Sequence, residues 1–498
     1  MAELFTGVAL KLRMNKIFTE RPSLAQGIFD FTSERFDDGI LISNMFCDFL
    51  YLSKEDYFDF LQNGSGVKSA SLRKKLIECR FIYESKKDFI EASISIYRKL
   101  KGFQFVGTVL HIFVLTLNCN LECSYCQATA GKHNRTKSMT TNIADSCVDR
   151  AFESMSKNID IEFQGGEPLL NFQTLKFIIE KSCKLAVQKE KKVTFSLVTN
   201  LSCLTEEMAA YLASHNVGIS VSLDGPRDLH DLNRPHAQKH RSNFDDIIRG
   251  LEILNKHYPT SDGRISALLT TTNKSFSRID DIIDIYSTLK LGSFSVRPLS
   301  PFGLAKTGWD SLGYSPMEFG KYYYEFLERI LAKNVKSNGN LVEFHARMFL
   351  NKIFNKTPIN HMEFRSPCGA AIGQITYDWN GDVYTCDEAR MLAAAGDKTF
   401  LLGNVIESSY DSIMNGKKVR SIAQASCLES LPDCVYCVYQ PLCGVCPVYN
   451  YAKYGDLYRI TANDYFCQMR KEIFNSFFQI LFNGSLELKN KLLEWGVQ

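Results

Sequence analysis

The chain has 498 residues, 45 % of them hydrophobic, and a formal net charge of +3, enough for two to four domains whose cores need no disulfide staples. With so small a charge and no long lysine or arginine block, electrostatics gives no reason to expect a nucleic acid partner, and no stretch resembles a membrane span. The opening MAELFTGVALKLRMNKIF lacks the apolar core and cleavage signal of a secretory leader, so a cytoplasmic, reducing compartment is expected, where sixteen cysteines suggest metal.

In chain order, residues 38 to 84 read as a small α+β unit within an N-terminal domain of residues 1–106. Two short strands, GILISN and DFLYLS, precede helical segments around Lys54 to Gln62 and Ser71 to Cys79, then FIYE. From residue 111, six apolar β-rich runs follow: HIFVLTLN, DIEFQ, VTFSLVTN, GISVSLDG, RISALLTTT and FSVRPLS. Between them NIADSCVDRAFESMS, FQTLKFIIEKSCKLAVQ and NFDDIIRGLEILNKH carry apolar residues at i, i+3, i+4 and i+7, as helices covering a parallel sheet do. The fold class is therefore α/β, a partial, TIM-like (β/α)6 barrel over residues 107–305, with its active face in the loops after the strands. Connecting helices are expected over 306–361, a cysteine-rich domain over 362–470, and an amphipathic helix over 471–498. The apolar stripe of that last helix, Ile473, Phe474, Phe477, Phe478 and Leu481, reads as core packing.

The loop after the first barrel strand, TLNCNLECSYCQAT, places Cys119, Cys123 and Cys126 in C-x3-C-x2-C spacing without a nearby fourth cysteine. Zinc with His133 as fourth ligand is one reading; an iron-sulfur cluster held by three thiolates, with one iron left open, is the other. Loops after the next strands carry GGEP from Gly165 to Pro168, then Asn200, then LDGP from Leu223 to Pro226.

C-x3-C-x-aromatic-C after a strand, with Tyr125 as the aromatic, and GGEP after the next strand together resemble the radical SAM superfamily over about residues 110 to 300. The resemblance implies a [4Fe-4S] cluster whose open iron is closed by the amine and carboxylate of S-adenosylmethionine (SAM), and reductive cleavage of SAM to a 5'-deoxyadenosyl radical. It implies that Gly165 and Gly166 permit close backbone approach, that Glu167, beside Pro168, brings acceptor charge to the SAM ammonium, and that Arg234 pairs with the SAM carboxylate. Ser222 and Asn200 would supply polar contacts to the carboxylate and ribose. Where relatives often read Thr-Asn-Gly, this chain has Thr199, Asn200, Leu201. Asp224 and His230 suit turn or capping roles equally well.

Between Cys368 and Cys467 the spacing is C-x12-G-x4-C, with Gly381 and Cys386, then Cys434, Cys437, Cys443, Cys446 and Cys467. The order resembles the SPASM extension of radical SAM enzymes, with x2 between Cys443 and Cys446 where the family pattern has x3. By that resemblance Cys434, Cys437, Cys443 and Cys467 hold one auxiliary [4Fe-4S] cluster and Cys368, Cys386 and Cys446 another, giving three clusters in all. The second set is one ligand short, since Met362 stands where relatives have a cysteine; either Cys427 completes it or an iron is open. Cys47, Cys79, Cys147, Cys183 and Cys203 read as small buried apolar groups. Asp387, directly after Cys386, matches an aspartate that takes a proton from the substrate in anaerobic sulfatase-maturating enzymes, and is the candidate general base.

FLYLSKEDYFDFL, CGAAIGQITYDWNGDVYTCDEARML and CGVCPVYNY resemble the B-type maturases of the His-Xaa-Ser peptide systems. That implies a precursor peptide substrate, an electron donor such as flavodoxin or ferredoxin, and a second maturase as possible partner, with residues 38 to 84 as a winged-helix-like leader-binding element or a barrel-capping decoration. Formylglycine formation in sulfatases is the alternative enzyme reading, and a multi-cluster electron carrier is the alternative of another class.

Overall fold

The computed structural model describes residues 27–496 except 129, 132, 133, 135, 260–262, 290, 359–363 and 459–463. The front unit is a three-stranded antiparallel sheet, β1 (Thr32–Arg35), β2 (Ile40–Ser43) and β3 (Phe49–Leu52), in that order. Strands β2 and β3 are the expected pair. β1 escaped the sequence pattern because its residues, Thr-Ser-Glu-Arg, are polar and mostly exposed, with no apolar face to alternate. Helices Lys54–Asn63 and Ala70–Glu78 start where Ser53 and Ser69 accept from the backbone N–H groups of Asp56 and Leu72. FIYE forms no strand; Ile82 makes a single bridge to Ile28, and Phe31, Phe60, Leu76 and Phe81 close a core separate from the main one. A helix unforeseen from sequence, Lys86–Lys101, leads to the barrel; most of its residues are exposed, so its apolar stripe was too thin to read.

Six parallel strands follow in sequence order: β4 (Leu110–Thr116), β5 (Asn158–Gly165), β6 (Lys192–Thr199), β7 (Gly218–Ser222), β8 (Ile265–Thr270) and β9 (Ser293–Arg297). Helices such as Thr141–Phe152, Phe172–Gln188 and Asn243–His257 cover the outside, burying Val148, Ile178 and Ile247 against it. The sheet is longer than six strands. Beside β9 lies β10 (Val342–Glu343), and beside β4 lies β11 (Gln374–Tyr377), both parallel; β12 (Asp382–Tyr384) and β13 (Leu401–Asn404) extend it antiparallel. The cysteine-rich region is thus hydrogen-bonded into the barrel sheet through Gln374↔Leu110 and its neighbours.

Helix Tyr465–Asn483 crosses the boundary expected at 470/471 and carries Cys467 in its first turn. Ile473, Phe474, Phe477 and Phe478 are buried and Leu481 half-buried against the main core, beside helix Pro316–Ser337, so the stripe packs inward. Among the described residues no helix is long and apolar enough to cross a membrane.

Candidate active site

The C-terminal ends of the parallel strands open on a cavity of about 700 Å³. Tyr125, Asn200, Ser222 and Arg234 line it with the first three cysteines; Cys386, Asp387 and Cys446 line it from the cysteine-rich side. Glu167 and Pro168 are buried and do not line it.

Local backbone explains the glycines. Gly165 has φ +143°, and a Cβ there would meet the carbonyl oxygen of Thr116 at 2.2 Å; one on Gly166 would meet that of Asn118 at 2.2 Å. The N–H groups of Gly166 and Glu167 donate to those same carbonyls at 2.7 and 2.9 Å. What approaches closely is thus the root of the cysteine loop itself, and the glycines lock that loop to β5.

Glu167 differs from its expected role. One carboxylate oxygen accepts from Leu169 N (3.0 Å) and Thr199 Oγ1 (2.8 Å), the other from Asn200 N (2.8 Å). Burial lifts its carboxyl to about 6 against these hydrogen bonds. It joins the loops after β5 and β6 instead of presenting charge to the cavity. Asn200 likewise is engaged with the cysteine loop: Nδ2 lies 3.9 Å from Cys119 Sγ and 3.2 Å from Asn120 Oδ1, while its Oδ1 accepts from Ser202 N at 2.9 Å. Leu201 takes the left-handed conformation, φ +56°, that a glycine would take at lower cost. Its buried side chain fits because residue 250 is glycine; a Cβ there would lie 2.8 Å from Leu201 Cβ.

Asp224 proves central rather than a turn residue. Fully buried, it accepts from Arg234 Nε (3.1 Å) and Nη2 (3.2 Å), from Asn233 Nδ2, from Thr270 N and from the Tyr125 hydroxyl. Arg234 also lies over the Tyr125 ring at 5.3 Å. Arg234 lines the cavity, its guanidinium held by the fully buried Asp224 carboxylate. His230, pushed down to about 4 by burial, is neutral; its Nδ1 accepts from Asp224 N at 3.2 Å. It positions the Asp224 backbone.

The thiols form three groups. Burial, and then Cys123, hold Cys119 in its protonated form; Cys123 in turn is raised by burial and by Cys126, against the lowering effect of Arg234. Burial, then Cys443, Cys437 and Cys467, act on Cys434; burial, then Glu388, Cys446 and Cys368, act on Cys386. Thiols packed this way cannot all ionise unless positive charge enters among them, which iron supplies. No three His, Cys, Asp or Glu side chains among the described residues are arranged to hold a single ion. His133 and Met362 lie outside the described residues. Cys427 joins none of the groups: its thiol donates to Glu429 at 3.4 Å, beside Lys101. Cys47 and Cys147 are buried, and Cys79, Cys183 and Cys203 half-buried.

Asp387 opens helix Asp387–Ala394, and its Oδ1 accepts from Arg390 Nε (3.1 Å) and Nη2 (2.6 Å). Buried Arg390 also feels Asp378 and Cys126, so it spans both cysteine regions. Across the cavity stands Glu162, raised by burial and by Asp387. Sequence reading passed over Glu162, yet the alternation Asp160, Glu162, Gln164 against Ile159, Ile161, Phe163 puts polar side chains on one face of β5. For Arg390 there was no such signal, because tertiary partners define its place; Asp224 stood in the LDGP loop, but its partners were not visible there.

Residues 113–281 match the radical SAM superfamily, and residues 368–447 the SPASM iron-sulfur cluster-binding domain. The cysteine-type anaerobic sulfatase-maturating enzyme of Clostridium novyi (strain NT) is 27 % identical over 339 residues, 66 % of this chain and 84 % of that protein. Among solved structures, native anSMEcpe with bound AdoMet superposes with a TM-score of 0.60 at 20 % identity, covering 75 % of this chain and 98 % of the other. Streptococcus suis SuiB bound to precursor peptide SuiA gives 0.52 at 17 % identity, covering 89 % and 99 %.

Proposed function

We propose that this chain, a radical SAM domain followed by a SPASM domain, is an enzyme that binds SAM and three [4Fe-4S] clusters and modifies a residue within a peptide. One observation carries the reading: a single cavity is lined by the three-cysteine loop with Arg234 and Ser222, and also by Cys386 and Asp387. Cys119, Cys123 and Cys126 hold the first cluster; the other two groups of thiols hold the auxiliary ones. Bound SAM supplies a carbon radical able to abstract hydrogen from an unactivated position. Arg234, fixed by Asp224, pairs with the SAM carboxylate, and Ser222 adds a polar contact. Asp387 takes the proton released from the substrate, with Arg390 orienting its carboxylate.

Peptide as substrate is supported by the SuiB complex with its precursor peptide, and the segments around Phe49, Cys368 and Cys443 favour a His-Xaa-Ser type maturase. The C. novyi relative, a cysteine-type sulfatase-maturating enzyme, favours a second reading, oxidation of a sulfatase cysteine to formylglycine. An electron carrier would have no use for Arg234 at a cavity wall with a buried Asp224 behind it.

Anaerobic incubation with SAM and a strong reductant is expected to yield 5'-deoxyadenosine; its absence from iron-replete protein would remove the enzyme reading. A peptide from the precursor frame beside the gene, set against a sulfatase peptide, then separates the two substrates by mass spectrometry. Arg234→Ala should weaken SAM binding by about 1.5 to 3 kcal/mol, roughly ten- to a hundredfold. Calorimetric titration of protein with matched iron content checks this, and an unchanged Kd puts the SAM carboxylate elsewhere.

A further inference from the structure

Beside β10 the cavity wall carries an arginine without an ion-pair partner among the described residues. Helix Phe344–Asn355 follows β10 directly, and its first turn brings Phe344, His345 and Arg347 to the same cavity that Arg234 and Asp387 line. Arg347 is half-buried, and its guanidinium carbon lies 5.7 Å from the centroid of the Phe344 ring. Among the described residues it makes no hydrogen bond or ion pair.

The carboxylates around it are engaged elsewhere. Glu343, which caps that helix, is fully buried. One of its oxygens accepts from Val296 N (3.3 Å) and faces His345 Nδ1 (3.1 Å); the other accepts from the Tyr323 hydroxyl and Ala346 N, both at 2.8 Å. Asp387 is held by Arg390, and Glu162 accepts from Gln164 Nε2. Burial works against the charge of Arg347 and Glu343 works for it. A partly desolvated cation with an aromatic ring against it, facing a cavity, is ready for an anion from outside the chain. Planar and forked, a guanidinium matches a carboxylate best, two N–H donors to two oxygens.

We propose that Arg347 selects the substrate by pairing with a carboxylate of the peptide, so that an acidic group lies within the cavity together with the residue to be modified. This rests on the reading that the substrate is a peptide. The carboxylate comes from an aspartate or glutamate side chain or from the C-terminus; that of SAM is left to Arg234, on a different loop of the barrel.

The test is selection from a pool of N-acetylated hexapeptides of random sequence, made once with free C-termini and once as C-terminal amides, on anaerobically reconstituted full-length protein loaded with SAM. Retained peptides are read by mass spectrometry. Wild-type protein is expected to retain acidic peptides roughly tenfold over their Asn and Gln counterparts, the scale of one charge-assisted pair. Enrichment of Asp and Glu in both pools assigns a side chain; stronger retention of the free-acid pool whatever its sequence assigns the C-terminus. Arg347→Gln should erase the preference, and Arg347→Glu should turn it toward Lys and Arg. Retention by wild-type protein without an acidic preference, or the same preference in both variants, overturns the proposal. Loss of SAM affinity in Arg347→Gln with the acidic preference intact assigns the arginine to SAM and overturns it as well. Should these two variants fail to retain iron, Arg347→Lys decides: a weaker acidic preference supports the pairing, an unchanged one refutes it. If wild-type protein retains no peptide, the peptide reading falls and this proposal with it, an outcome distinct from retention without preference.

Discussion

Cys126→Ala is expected to abolish reductive cleavage of SAM and to lower iron by about four atoms per chain, leaving about eight in the auxiliary clusters. Structure gives two reasons for so clean a loss. The loop does not depend on the thiol for its shape: Cys126 N donates to Cys123 O at 3.2 Å, and Cys126 O accepts from Leu304 N at 3.0 Å, contacts that alanine keeps. The auxiliary thiols all lie at Cys368 or later: Cys368, Cys386 and Cys446 sit in a small separate core with Tyr384, Phe400 and Val448, and Cys437 and Cys443 pack against the main one. Iron and sulfide analysis with chromatography for 5'-deoxyadenosine measures both effects. Continued production of 5'-deoxyadenosine would show that the radical-generating cluster sits elsewhere, and iron near four per chain in the unaltered protein would remove the auxiliary clusters.

Asp387→Asn separates radical generation from product formation. The two Arg390 contacts fall on Oδ1, and the asparagine carbonyl oxygen can accept both, so the turn into helix Asp387–Ala394 keeps its shape. Arg390 loses one counter-charge but keeps Asp378. SAM cleavage should therefore persist while modified peptide falls on the order of a hundredfold or more, the usual scale for losing a general base. Uncoupled 5'-deoxyadenosine is the signature to measure. Peptide modified at the normal rate would move the base to Glu388, or to Glu162 across the cavity. If both activities vanish together, iron content tells whether the neighbouring Cys386 has lost its cluster.

Much of the barrel was legible because its signals are local. HIFVLTLN and VTFSLVTN are apolar and β-rich, and the loops that follow carry residues with few other uses, so β4 to β9 and the cysteine loop could be placed by pattern. Strands of two to four residues such as β10 and β12 have too little sequence to show a period, which hid the extension of the sheet. Side-chain partners were the least legible. Glu167 was expected to face a ligand but turns to Thr199 and Asn200, and Asp224 was weighed as a turn residue but holds Arg234 and Tyr125. For Glu167 the deciding neighbours stand at the end of a different strand, and for Asp224 they are Arg234 at the end of the short helix after it and Tyr125 from the loop after β4, pairings that spacing alone does not announce. Leu201 shows the same from the opposite side: the missing glycine was visible, while its remedy, Gly250 on a later helix, was not.

The parallel pairing of β4 with β11 also sets an order of events during synthesis. β4, with the run Leu110 to Thr116, is the first barrel strand to leave the ribosome, and β5 can join it early on one side. Its other side waits for Gln374 to Tyr377, which emerge only after the whole of the parallel run. Until then a long, apolar strand carries an open hydrogen-bonding edge, a template for pairing with another nascent chain. Truncations that stop after β9 inherit that edge permanently, so the barrel segment made without the cysteine-rich half should collect in aggregates when the full chain does not.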